Sequence, residues 1–176
     1  MVRRAVTEPT KAASRGTRSR ATKSRATHWL DTEEEAAWRA LATVLVKLPW
    51  ALECQLQRDA GLSFFEYHAL ARLSEEPDRT LRMSVLAEVT NASLSRLSHL
   101  VKRLEARGLV RREPDPGDGR FTNAILTKAG HVKLVASAPA HVATVRSLVI
   151  DALSAAELQQ VHDASRRLLA RIEETD

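Results

Sequence analysis

The chain has one cysteine, one tyrosine and few aromatic residues, 4% of its 176 positions. The lone Cys54 permits no intrachain disulfide and suits a reducing compartment. With so few aromatics and an apolar set dominated by Ala, Leu and Val, helices are favoured over a β-sandwich. No apolar run approaches the ~18 residues of a membrane span. The N-terminus lacks the hydrophobic stretch of a secretory signal. A cytoplasmic location without a membrane partner is therefore expected. There is no Gly-rich phosphate loop, H-E-x-x-H or nucleophile-elbow motif. The six histidines are scattered without metal-ligand spacing. An enzyme, a cofactor and a bound metal are not expected.

What is abundant is basic charge, and it is unevenly placed. Residues 1–27 hold eight Lys/Arg against Glu8 alone, so a tail of +7 within a chain of +5 leaves the remainder at −2. The high isoelectric point thus belongs to the tail, and only local clustering can mark a nucleic-acid surface in the rest. The tail is Arg/Ser-rich and acid-poor like an organelle transit peptide, but its few apolar residues build no amphipathic face. A disordered basic arm over residues 1–31 is the expectation. The other residues, 32–176, are enough for one domain with a real core.

Helix punctuation is frequent along that domain. Thr32-Glu33-Glu34-Glu35 reads as a capping box that starts a helix near residue 33. Its apolar positions are Trp38, Leu41, Leu45, Leu48, Leu52 and Leu56. Pro49 should kink or split it, and Gly61 should end it. Ser63-Phe64-Phe65-Glu66 is a second box, with Leu62 and Tyr67 as a hydrophobic staple. That helix runs to about Glu76 with Phe65, Ala69, Leu70 and Leu73 inside. A shorter helix over Met83–Thr90 should bury Val85, Leu86 and Val89. Asn91 suits the left-handed conformation, and Ser93 caps the next helix, which runs to Arg107 before Gly108. Leu109–Glu113 and Phe121–Leu126 read as strands around a turn-rich loop. Thr127 caps a helix interrupted at Pro139. Ser154-Ala155-Ala156-Glu157 opens a last helix expected to bury Leu158, Val161, Leu168, Leu169 and Ile172.

The centre of this order, Leu81 to Gly130, has the outline of a winged-helix DNA reader: helix, turn, helix, then an Arg-tipped hairpin. In the second of those helices Leu94, Leu97, Val101 and Leu104 share one face. Ser93, Ser95, Arg96 and His99 lie on the rest of its first turns, with Lys102 and Arg103 beyond. The N-terminal part of such a helix enters the major groove, where hydroxyls and Arg meet phosphates or base edges. An ordinary solvated face would also carry charges, and the hairpin decides between the two. From Ser95 to Arg120 seven Lys/Arg face four acids, a local +3 in a body of −2. Arg120 at the tip has the reach to enter a minor groove. Asp118 can orient its guanidinium, or merely build the turn with Gly119.

Asp118-Gly119-Arg120, five intervening residues, then Leu126-Thr127 resembles the D-x-R-x5-L-T signature of the MarR (multiple antibiotic resistance regulator) family. Leu104 to Arg112 is similar to the end of that family's recognition helix. Thr127-Lys128-Ala129-Gly130 is similar to its entry into the next helix. The resemblance covers roughly residues 33–172. It implies a mainly α fold with a small β-hairpin wing. The winged helix-turn-helix (62–127) would be flanked by dimerisation helices (32–61 and 128–176). It further implies a homodimer that binds a pseudo-palindromic operator in double-stranded DNA, as a repressor released by a small, often aromatic, effector. DNA contacts carried over by position fall on Ser93, Ser95, Arg96, His99 and Arg120, with Asp118 in support.

Two alternatives stand beside this reading. One is a non-specific nucleic-acid binder dominated by the basic tail. The other is a redox-sensing regulator using Cys54. Peroxide-sensing relatives place a cysteine near the start of the first helix with tyrosine partners, whereas Cys54 lies late in it and Tyr67 is the only tyrosine. A buried, inert thiol is the expectation. Trp38 and Trp50 are large enough to line a ligand pocket, but at its core spacing Trp38 is expected to pack in the interior, and neither is assigned to a ligand.

Overall fold

The computed structural model describes residues 27–175, so the basic arm of residues 1–26 lies outside the described residues. The order is α1 (Thr32–Ala60), α2 (Phe64–Glu75), β1 (Thr80–Arg82), α3 (Met83–Val89), α4 (Leu94–Ala106), β2 (Val110–Pro114), β3 (Thr122–Leu126), α5 (Lys128–Val145) and α6 (Ala155–Glu173). A π-helical turn, Arg146–Ile150, extends α5. The three strands form one antiparallel sheet with β3 in the middle, order β1-β3-β2. This is a mainly helical winged-helix fold.

Local chemistry sets the element ends. Asp31, not Thr32, caps α1: its carboxylate accepts from the Glu33 and Glu34 amides at 2.8 Å, and Glu34 reaches back to the Asp31 amide at 2.9 Å. A carboxylate there also faces the positive end of the helix, which moves the start one residue earlier than expected. Ser63 and Ser154 make the expected boxes with Glu66 and Glu157. Pro49 does not split α1, nor does Pro139 interrupt α5. Each costs one amide donor in a helix whose remaining bonds persist. Gly61, Asn91 and Gly108 take the left-handed conformation just past the ends of their helices. Arg79 takes it in the turn that leads from α2 into β1, which the sequence did not announce.

Helices α2, α3 and α4 enclose the core with the sheet, around Leu62, Leu70, Leu73, Leu86, Leu97, Val101, Leu104 and Val110. Several expected core positions lie elsewhere. Val85 and Val89 on α3 are exposed, and Met83, Ala87 and Thr90 take their places. On α4 the buried stripe is Leu97, Leu100, Val101 and Leu104. Leu94, one turn earlier, projects past the edge of the core and is 55% exposed.

The largest difference concerns α1 and α6. Of the apolar row on α1 only Leu52 and Leu56 are buried, whereas Trp38, Leu41, Leu45 and Trp50 are exposed. None of α6 is buried: Val161, Leu168, Leu169 and Ile172 stay open because nothing among the described residues packs over them. Cys54 is exposed rather than buried, since it lies on the outer side of α1.

The entry into α5 explains two motif residues. Thr127 Oγ accepts from the Gly130 amide at 3.0 Å and donates to the Gly108 carbonyl at 2.7 Å, which ties the start of α5 to the end of α4. A side chain at Gly130 would put its Cβ 2.0 Å from the Leu109 carbonyl oxygen, so only glycine allows this approach.

Candidate nucleic-acid interface

Helix α4 presents Ser93, Ser95, Arg96, His99, Lys102 and Arg103 as exposed side chains. Ser93 Oγ accepts from the Arg96 amide at 3.3 Å and so starts the helix. The Arg96 guanidinium lies over the Phe65 ring, 4.4 Å from its centroid. Phe65 thereby holds one cation near the N-terminus of α4 in a defined direction.

Arg103 is differently placed from its neighbours. Its Nε donates to Glu66 at 3.3 Å, and Arg107 reaches the other Glu66 oxygen at 3.4 Å. Glu66 is buried and already closes the capping box of α2 through the Ser63 amide at 3.0 Å. Arg103 of α4 and Arg107, the residue just after that helix, are thus clamped to α2, while Lys102 and His99 are exposed. Nothing in the local pattern marks this clamp, because Glu66 already has a role as a capping residue.

The wing is built by a chain of charge-assisted bonds. Arg120 donates Nε to both oxygens of Asp118 at 3.0 and 3.1 Å, and Nη2 to Oδ2 at 2.6 Å. The guanidinium beside it, together with the Arg120 amide, holds the Asp118 carboxyl below its ordinary range. Asp118 therefore both builds the turn and aims the arginine, whose side chain remains 84% exposed. One step back, Asp115 Oδ1 accepts from the amides of Gly117 at 2.8 Å and Asp118 at 3.2 Å. Its other oxygen takes Arg82 Nε at 2.8 Å. Arg82, followed by these amides, holds the Asp115 carboxyl at about 2. The Arg82 guanidinium also lies over the Phe121 ring, 4.7 Å from the centroid.

At the base of the hairpin, Arg112 binds Glu105 of α4 through Nε, Nη2 and its amide at 2.9, 2.6 and 3.1 Å. This fixes β2 against the helix. Between α4 and the wing runs an open groove of about 270 Å³, lined among others by Arg82, Ser84, Leu94, Ser98 and Arg120. Of these only Arg120 was expected from sequence to contact DNA, and Leu94 was expected in the core. Ser84 and Ser98 lie in plain helical contexts, and Arg82 gains meaning only from a partner 33 residues away.

An exposed helix start and an arginine-tipped hairpin, flanking a groove and braced to one core, define the winged-helix class of transcriptional regulators. A sequence profile of the MarR family matches residues 60–120. Sco3205, a MarR family transcriptional regulator from Streptomyces coelicolor solved in complex with DNA, is 41% identical over 82% of this chain and 91% of its own, with a TM-score of 0.79. AbsC, a MarR family regulator from the same organism, is 38% identical over 84% and 99%, with a TM-score of 0.80. CouR from Rhodococcus jostii RHA1, solved with p-coumaroyl-CoA, shares the fold at 22% identity over 75% and 90%, with a TM-score of 0.66. No curated protein matches the chain. The chain belongs to the MarR family of transcriptional regulators.

Proposed function

We propose that this protein is a homodimeric, sequence-specific DNA-binding regulator acting in the cytoplasm. The observation that carries the reading is the pairing of α4 with the wing. Ser93, Ser95, Arg96, His99 and Lys102 are exposed on one, and Arg120 is aimed by Asp118 on the other. The N-terminal part of α4 enters the major groove, and Arg120 reaches the flanking minor groove. Arg103 contributes charge from behind, on its Glu66 clamp. Likeness to the DNA-bound Sco3205 supports the assignment.

The open apolar faces of α1 and α6 support the dimer, since apolar surface on this scale marks an interaction site. A second copy places two reading heads on a pseudo-palindrome with half-sites about one helical turn apart. Repression, and release by a small effector, follow the habit of the family. Footprinting on genomic fragments tests the reading: a protected symmetric site is expected, and uniform or absent protection overturns it.

A further inference from the structure

Arg82 is the residue of the wing that sequence reasoning passed over, and its surroundings make it more than a surface ion pair. It ends β1, on the far side of the central strand from the wing loop, and pairs in register with Asn123. From there its side chain reaches Asp115 at 2.8 Å and covers the Phe121 ring. The Asp115 side chain is nearly buried, 11% exposed, and both its oxygens are used. One takes Arg82. The other takes the amides of Gly117 and Asp118, the residues that lead into the Asp118–Arg120 clamp. Bonds therefore run without a gap from the sheet through Asp115 and Asp118 to Arg120.

A two-stranded hairpin is marginal on its own and gains from a tie to a third strand, which the Arg82–Asp115 pair extends from β1 to the wing loop. The brace here joins the loop to the opposite edge of the sheet. We infer that Arg82 is a positioning residue for DNA binding: through Asp115 it sets the angle of the wing and so the depth at which Arg120 enters the minor groove. The inference rests on the DNA-reading function proposed above. It also distinguishes two arginines that line the same groove. Arg120 contacts the nucleic acid, and Arg82 acts through it.

The test is a double-mutant cycle on the full chain, measuring affinity for the footprinted duplex at several salt concentrations. Arg120→Ala is expected to weaken binding about tenfold, the scale of one lost charged contact, and to lower the salt slope by about one. Arg82→Ala should weaken binding several-fold. The double variant should stay within about twofold of Arg120→Ala, with no further loss of slope. Multiplying losses and a slope lowered by two would mean that Arg82 contacts a phosphate itself, and would overturn the inference. Asp115→Asn serves as the second variant, because it cuts the brace while leaving the Arg82 charge in place. It should match Arg82→Ala, whereas unchanged or tighter binding sinks the proposal. If Arg120→Ala changes nothing, the underlying reading of the wing fails, and that result is distinct from additivity.

Discussion

The winged head and the outer helices both carry rows of apolar residues but treat them in opposite ways. In the head, Leu70, Leu86, Leu97 and Leu104 are fully buried by neighbours from the same chain. On α6, Leu168, Leu169 and Ile172 repeat at helical spacing and remain more than half exposed. Burying such a side chain contributes about 1.5–3 kcal/mol, so an uncovered row is a large unclaimed stabilisation. The head is thus closed by its own described residues, whereas the outer helices leave an apolar face that the proposed second copy would cover. The contrast teaches that a helical repeat in sequence reveals an apolar face without revealing which chain covers it.

The sharpest way to break this contrast is to damage each region by one residue. Leu70→Ala removes a fully buried side chain from the head. It should cost about 2–5 kcal/mol in denaturant unfolding. Leu169→Glu instead puts a charge on the open face of α6. It should shift the dimer–monomer equilibrium by about a hundredfold in sedimentation, roughly 2.7 kcal/mol, with the fold of the head intact by circular dichroism. An unfolded Leu169→Glu chain, or one still fully dimeric, would contradict the division.

A smaller effect is expected at the seam between the two regions. His141 of α5 is half-buried, with Nδ1 3.2 Å from Gln55 Oε1 of α1 and its ring 4.5 Å from that of Tyr67 of α2. Burial lowers its pKa, and burial lowers that of His68 on α2 as well. The folded state therefore binds fewer protons than the unfolded chain. This contribution to stability is complete above the ordinary histidine pKa, about 6.5, and is lost as pH falls through the depressed folded value. Melting temperature should drop between pH 7.5 and 5.5, and His141→Gln should flatten that slope. An equally steep slope in the variant would remove His141 from the seam.

How far the sequence could be read follows the same division. Caps were legible because their chemistry is local: Ser63 with Glu66, Asn91 before Ser93, Thr127 with Gly130. The Asp118–Arg120 clamp was legible because both partners sit within one turn. Strand β1 was not, since three residues become a strand only by pairing with β3. Leu94 was misread because it continues the spacing of Leu97 and Val101 but lies beyond the end of the core. The Arg82–Asp115 brace and the Glu66 clamp join residues 33 or more positions apart, which periodicity does not encode.

A head that reads sequence, as proposed here, must do more than attract a polyanion. Competition measures that difference directly: a labelled duplex carrying the footprinted site is displaced by the same site or by random duplex at physiological salt. The random duplex is expected to compete at least about a thousandfold more weakly. Equal competition by the two duplexes would show that charge alone drives binding, and would contradict sequence reading by this head.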